Sequence, residues 1–182
     1  MSRCYAARPM TTAPTINATG ALIATSLNYT ISYAQELVKT IPAERFCEMP
    51  TEGMNHPAFC IGHLAIYSNR VLELIGCADR KIVMPFTDEH FKNGALCVAQ
   101  DGRYPSKQVL CDTFFAGWKA VLAALPTVED SVFAGEHPAE GRFKELFPTI
   151  GDVTNFLGGS HNMVHLGQIS AWRRAAHLGS AY

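Results

Sequence analysis

The sequence lacks several features that would place it in a familiar class. Its 15 Lys and Arg residues nearly balance its 16 Asp and Glu residues, and no basic cluster extends beyond Arg173-Arg174, so we expect no nucleic-acid partner. No uninterrupted apolar run approaches the roughly 18–20 residues of a membrane-spanning helix, so we expect no membrane partner. The six cysteines show no C-x-x-C spacing, which favours reduced thiols and a cytoplasmic location.

Common catalytic motifs are missing as well. The chain has no H-E-x-x-H motif, no E-x-x-H pair, no G-x-S-x-G elbow and no P-loop. These absences argue against a zincin-type protease, a ferritin-like di-iron bundle, a serine hydrolase and a P-loop nucleotide-binding protein.

The 182 residues that are present, 48% of them apolar and 17% charged, suffice for one domain with a sizeable core. We interpret residues 1–14 as a disordered N-terminal lead-in and residues 15–182 as a single domain. Helical periodicity marks four segments, at about 19–40, 55–76, 106–126 and 149–179. The pattern predicts an all-α four-helix bundle with a long irregular connection, 77–105, between the second and third helices. A second irregular stretch covers 126–148, and KIVMPF (81–86) has the composition of a short strand.

The fourth segment carries two histidines, in GGSHNMVHLGQISAWRR (158–174). At about 100° per residue, His161 and His165 share one helix face with Leu157 and Trp172, and Val164 is expected in the core beside them. Two imidazoles four residues apart can bind one metal ion. The same spacing also suits core histidines with local hydrogen-bond partners, or a half-exposed face with no special chemistry.

A third ligand is expected from another helix. His63 lies on a mostly apolar stripe of the second helix, which should face the bundle centre. Together with the two histidines of the fourth helix it would provide three neutral nitrogens and leave a coordination position open, as in catalytic zinc sites. Cys60 is an alternative ligand, although a small core cysteine is far commoner.

The remaining histidines receive other roles. His56 precedes Pro57 at the start of the second helix, where a capping role is expected. His90, His137 and His177 fall in loops or at a helix end, and we expect them at the surface.

GHLAIYSNRVLELIG (62–76) and SHNMVHLGQISAWRR (160–174) together resemble the DinB/YfiT-like family of metal-binding helical bundles. In that family one histidine, often in a G-H dipeptide, lies on the second helix, and two more lie in an H-x3-H-x-G-Q pattern on a later helix. His63, His161 and His165 match these positions, and Gly167 and Gln168 complete the pattern. The resemblance covers most of residues 15–180 and implies a single DinB-like domain, although the 77–105 connection has no counterpart that we can match.

The resemblance implies a divalent metal, zinc or nickel above all, held by the three histidines. It further implies a transferase that joins a low-molecular-weight thiol, such as bacillithiol or mycothiol, to a small electrophile. Two alternatives stay open: a metal-assisted hydrolase at the same site, and a non-catalytic metal-binding structural bundle. We expect a small-molecule substrate and, from the apolar content, a homodimer.

Residues beside the expected ligands are candidates for substrate contacts. Arg70, on the same inward stripe, either binds a carboxylate of the substrate or thiol, or forms a salt bridge with an acid such as Glu36 or Asp152. Tyr67 is either a hydrogen-bond donor in the pocket or an ordinary core tyrosine. Gln168 is expected to orient a ligand imidazole.

Overall fold

The computed structural model describes residues 17–181, and the predicted lead-in at 1–14 lies outside this range. No strand occurs within residues 17–181, so the all-α class is confirmed and residues 81–86 do not form the short strand that their composition allowed. The helices are α1 (Ala18–Lys39), α2 (Pro57–Leu74), α3 (Lys107–Ala124), α4 (Asp130–Phe133), α5 (Arg142–Leu146), α6 (Ile150–Asn155) and α7 (Asn162–Ala175). A π-helical segment, Phe156–His161, joins α6 to α7. The bundle geometry of the long helices stays a prediction.

Side-chain caps start the helices where the sequence predicted. The His56 ring accepts a hydrogen bond from the backbone N–H of Phe59 at the start of α2, as expected. Ser106 caps α3 in the same way, and Thr149 forms a capping box with Asp152 ahead of α6. These caps satisfy backbone N–H groups that have no partner within the helix.

The core forms where the apolar faces of α1, α2, α3 and α7 meet. Two indoles anchor it: Trp118 donates to the carbonyl of Leu64, and Trp172 donates to the carbonyl of Glu48. Leu22 and Val164 have the spacing of core residues but lie outside the core. Their exposed fractions are 71% and 60%.

On length and composition alone, one helical stretch of the described chain, Lys107–Thr127, could cross a membrane. The absence of a continuous apolar run did not exclude this, since small and polar residues interrupt the stretch without making it hydrophilic. Half of the stretch is buried inside the protein, where α3 packs against α2. A single helix of this kind is weak evidence for a membrane span, because core helices pass the same test.

The connection at 77–105 folds back onto α2 through buried aromatic side chains. Phe91 is fully buried and Tyr104 nearly so, and their rings pack edge to face. Tyr104 also packs against the ring of His56, whose Nε2 lies 2.9 Å from the carbonyl of Val98. The connection has almost no regular structure, yet it is held firmly against the start of α2.

The second irregular stretch, 126–148, also has defined structure. It contains α4 and α5, and a short antiparallel pairing joins it to the start of α6 through the Glu136–Thr149 bridge. Within that pairing the backbone N–H of His137 donates to the carbonyl of Pro148, and the backbone N–H of Ile150 donates to the carbonyl of Gly135. The pairing fixes residues 135–137 beside the helix that continues into the π-helical segment.

Candidate metal centre

Three histidines from two separate helical segments meet in the interior. His63 of α2 comes together with His161, the last residue of the π-helical segment, and His165 of α7. One nitrogen from each ring lies within 4.8 Å of the others, and the Nε2 atoms of His63 and His161 are 3.1 Å apart. Residue 63 is 6% exposed and the other two are partly buried. The sequence predicted this juxtaposition, and the structure shows it.

The backbone of the 77–105 connection orients the ring of His63. Its Nδ1 lies 2.5 Å from the carbonyl oxygen of Phe91, and because a carbonyl only accepts, Nδ1 carries the proton. The lone pair is therefore on Nε2, the atom that lies 3.1 Å from His161 Nε2. Hydrogen bonds of this kind fix the tautomer and the orientation of metal-binding histidines.

Gly62 allows this contact. A Cβ atom at residue 62 would lie 2.1 Å from the Phe91 ring, far inside van der Waals distance. The ring therefore packs directly on the backbone of α2, which brings the Phe91 carbonyl within reach of the next residue. The glycine of the G-H dipeptide thus has a physical role in setting the His63 tautomer.

Gln168 orients the ring of His165. The Nδ1 of His165 lies 3.0 Å from the side-chain oxygen of Gln168, so this ring also donates through Nδ1 and keeps its lone pair on Nε2. The same oxygen accepts from the amide of Asn55 at 3.1 Å and from the thiol of Cys60 at 3.5 Å. Gln168 therefore connects α7 to the start of α2 while it holds the His165 ring.

The π-helical segment determines the environment of His161. In a π-helix residue i bonds to i+5 rather than i+4, which stacks Phe156 beside His161, with ring centroids 5.6 Å apart. The side-chain amide of the fully buried Asn162 donates to the carbonyl of Gly158. The sequence pattern predicted a regular α-helix here and gave no indication of this turn.

The donor set fits a divalent metal ion. His63 and His165 donate through Nδ1 to Phe91 and Gln168, so the lone pair of each of these rings is on Nε2, and the Nε2 of His161 lies 3.1 Å from that of His63. More lone pairs than protons therefore meet at this point, which a cation would satisfy. Tetrahedral zinc with Zn–N bonds of about 2.0–2.1 Å holds its nitrogen ligands about 3.4 Å apart, close to the 3.1 Å observed between two of them.

The local electrostatics keep the three rings neutral. Burial lowers the pKa of His63 to about 4, with a smaller contribution from His165, while the hydrogen bond to Phe91 opposes the change. Burial and the two neighbouring imidazoles lower the pKa of His161 to about 3. Burial also lowers the pKa of His165, against the effect of Gln168. Neutral imidazoles are the form that binds metal.

A family model of the DinB superfamily matches residues 26–169. The chain belongs to this superfamily. The matched region of this DinB-superfamily protein includes all three histidines and Gln168. No curated protein and no solved structure matches the chain.

The lowered pKa values predict that the metal-free DinB-superfamily protein loses stability in mild acid. Above about pH 6.5 the three rings are neutral in both states, so they contribute nothing. As the pH falls from 6.5 toward 4, the unfolded chain binds protons that the native protein excludes, and the free energy of unfolding decreases. We expect the Tm to fall by roughly 5–10 °C between pH 7 and pH 5. Calorimetry after chelation checks this, with His161→Leu as the control that flattens the profile; an equally steep profile in that variant contradicts the prediction.

A cleft of about 530 Å³ opens beside the histidine cluster, and His161 forms part of its wall. Tyr67 lies between the cleft and the cluster, with its ring centroid 5.0 Å from that of His63 and 4.8 Å from that of His161. Burial raises the pKa of the Tyr67 phenol, against the effect of Arg70. The cleft volume falls within the range of small-molecule sites. Its lining consists of Tyr67, Arg70, Leu74, Asn93, His137, Pro138, Ala139, Phe143, Val153, Phe156, Leu157 and His161.

The structure corrects the predicted environment of Arg70. Its side chain is exposed at the cleft rather than buried in the bundle, with the guanidinium carbon 5.9 Å from the Tyr67 ring centroid. It forms no salt bridge within residues 17–181, because Glu36 pairs with Lys39 and Asp152 serves in the α6 cap. The salt-bridge interpretation is therefore wrong.

The structure corrects the prediction for His137 and decides the role that was left open for Cys60. His137 was predicted at the surface, but it is only 4% exposed and lines the cleft. The sequence carries no periodic signal for this, since residue 137 lies outside any helix. Cys60 is fully buried and its pKa is raised by that burial, and its thiol contacts Gln168 rather than joining the three-histidine group.

Proposed function

We propose that this DinB-superfamily protein is a metal-dependent transferase that joins a low-molecular-weight thiol to a small electrophile. The observation that carries the proposal is the position of His161, which belongs both to the histidine cluster and to the wall of the cleft. A molecule in the cleft can therefore reach an ion held by His63, His161 and His165. Such an ion, zinc or nickel in our proposal, would act as a Lewis acid that lowers the pKa of a thiol.

The lining of the cleft supports an external nucleophile. None of its described residues is Ser, Thr, Cys, Asp, Glu or Lys, which leaves Tyr67 and the two histidines as the side chains there that could act as nucleophiles. In our proposal the nucleophile instead enters with the substrates. A small thiol can fill that role, and it also agrees with what the family resemblance implies.

The other residues of the cleft would bind and orient the reactants. Phe143 and Phe156 provide an apolar wall, which favours a substrate with an apolar body. Arg70 is a guanidinium without an acidic partner in the described chain, which suits a carboxylate of the thiol or the electrophile. Tyr67 lies between this arginine and the histidine cluster, where its hydroxyl can donate a hydrogen bond. Together these groups favour a small amphipathic acid as the ligand.

The test is a transfer assay on protein loaded with zinc or nickel, with metal-free protein as the control. Thiols including glutathione, cysteine and coenzyme A are mixed with an electrophile such as 1-chloro-2,4-dinitrobenzene, and the thioether product is measured. We expect metal-dependent thioether formation. Product formation with water as the only nucleophile would favour the hydrolase instead. No turnover with any thiol, despite bound metal, would favour the non-catalytic bundle.

Arg70 provides a prediction about the thiol. Arg70→Gln should raise the KM for 3-mercaptopropionate by about 10–100-fold, because a charged hydrogen bond of roughly 1.5–3 kcal/mol is lost. The KM for 2-mercaptoethanol, which has no carboxylate, should change little. Arg174→Gln, an exposed arginine outside the cleft, is the matched control. Equal effects on both thiols would remove Arg70 from carboxylate binding.

Several wider expectations stay predictions. They are a homodimer, a cytoplasmic location, a small-molecule substrate, and the absence of a nucleic-acid or membrane partner. Sedimentation of the purified protein tests the first of them directly.

A further inference from the structure

His137 is a second kind of histidine in this protein. It is 4% exposed and lines the cleft, yet it does not belong to the three-histidine group. It lies outside the helices, in the segment that packs over the cleft. A buried imidazole at such a position requires an explanation beyond packing, because an apolar residue would fill the space without a desolvation cost.

Hydrogen bonds fix both the place and the tautomer of this ring. The backbone N–H of His137 donates to the carbonyl of Pro148. The Nδ1 atom of its ring lies 3.0 Å from the carbonyl oxygen of Phe147. Because that carbonyl only accepts, Nδ1 carries the proton and Nε2 carries the lone pair. The Phe143 ring packs edge to face against the imidazole, with centroids 5.4 Å apart. The ring is therefore held from two sides.

The Nε2 atom remains available to a ligand. No hydrogen-bond partner occupies it within residues 17–181, and it is not among the fully buried orphan atoms, so it retains access to solvent. The residue also lines the cleft, which is the route by which we infer that a ligand would reach Nε2. The protein thus holds a hydrogen-bond acceptor with a fixed tautomer in the same cleft as His161.

The charged and titratable surroundings of His137 leave it without a competing partner. The neighbouring Glu136 is paired with Lys144 of α5. The groups that share the cleft with it are Arg70 and Tyr67 of α2 and His161 of the π-helical segment. No carboxylate lines the cleft. No acidic group there therefore competes with a substrate for a hydrogen bond to the His137 ring.

We propose that Nε2 of His137 takes up the proton that a thiol loses in the cleft and passes it to the leaving group. This inference rests on the proposed transferase function. In the balanced reaction, R–SH and R′–X give R–S–R′ and HX. The S–C bond forms as the C–X bond breaks, and the S–H proton moves to Nε2 and then to X, so that no net oxidation or reduction occurs. An imidazole is suited to both steps near neutral pH.

A matched pair of variants separates this role from a structural one. In His137→Asn the side-chain amide can still donate to the Phe147 carbonyl in place of Nδ1, but no atom replaces Nε2. We expect His137→Asn to keep the Tm and the metal content while kcat falls by about 10²–10⁴-fold. His137→Leu loses both nitrogens and should lower the Tm as well. Wild-type kcat in His137→Asn would overturn the proposal.

A second measurement does not depend on turnover or on a folded variant. Zinc-loaded protein with ¹⁵N-labelled histidine is titrated with 3-mercaptopropionate, calorimetry reports binding, and the ¹⁵N shift of His137 Nε2 reports its protonation. We expect Nε2 to gain a proton on binding, and propionate, which has no thiol, to leave it unprotonated. Binding without protonation of Nε2 would overturn the role of His137 alone. Absence of thiol binding would overturn the proposed function itself.

Discussion

Replacing His63 with alanine should weaken zinc binding by at least about 100-fold, a larger loss than that expected from changing an outer residue of a metal site. The reason is that one of the three proposed ligands disappears, together with the ring that the Phe91 carbonyl holds in place. His161→Ala and His165→Ala should have effects of the same size. Competition with a chromophoric chelator gives the affinities, and elemental analysis of the purified variants gives the metal content.

The exposed His177 provides the control for this prediction. His177→Asn keeps a side chain that tolerates the positive φ of 59° at this position, and its zinc affinity should equal that of the wild type. Zinc at about 100 times the wild-type Kd should also stabilise the wild type by about 2.7 kcal/mol and each of the three histidine variants by no more than about 0.4 kcal/mol. Unaltered zinc affinity in His63→Ala would mean that the metal centre is not formed by these residues.

Gly62→Ala should cost more stability than most single methyl additions. The new Cβ would lie 2.1 Å from one atom and 2.3 Å from another atom of the Phe91 ring, and Phe91 is fully buried, so the ring has no open space to enter. We expect a loss of about 1–3 kcal/mol or more in the free energy of unfolding. Displacement of Phe91 also draws its carbonyl away from His63, so zinc affinity should fall by roughly 10–100-fold. Chemical denaturation and chelator competition measure the two effects.

Gly167→Ala is the matched control for this substitution. Gly167 lies in α7, and a Cβ there would meet no atom within 4 Å. Alanine should therefore be neutral or should stabilise the helix by up to about 1 kcal/mol, with no change in zinc affinity. A loss of stability in Gly62→Ala no greater than that in Gly167→Ala would show that the Phe91 ring can move without consequence.

The sequence predicted the features of the fold that depend on local chemistry. Helix periodicity placed the long helices, and the expected cap at His56 placed the start of α2, because capping preferences act within one turn of the chain. The spacing of His161 and His165 and the apolar stripe that carries His63, supported by the family resemblance, were enough to bring the three histidines together. Each of these inferences used residues that are close in sequence or that match a known pattern.

The features that the sequence did not predict depend on contacts between distant segments. The carbonyl of Phe91 has no side-chain signature, so its bond to His63 could not be read from residue types. The π-helical turn requires a change in backbone bonding that Gly158 and Gly159 permit but do not specify. A Cβ at either glycine would meet only ordinary contacts, so close helix packing does not explain them. The burial of His137 follows from a backbone pairing between 135–137 and 148–150, which has no helical period.

The anchor of His63 has a consequence for how the protein tolerates sequence change. Its acceptor is a peptide oxygen, which every amino acid supplies, so no exchange of the side chain at position 91 deletes the acceptor itself. What must be preserved is the path of the main chain past α2. Homologous exchange of the whole segment should therefore succeed when its length and trajectory are kept, and a one-residue deletion within it should harm the site more than many simultaneous replacements.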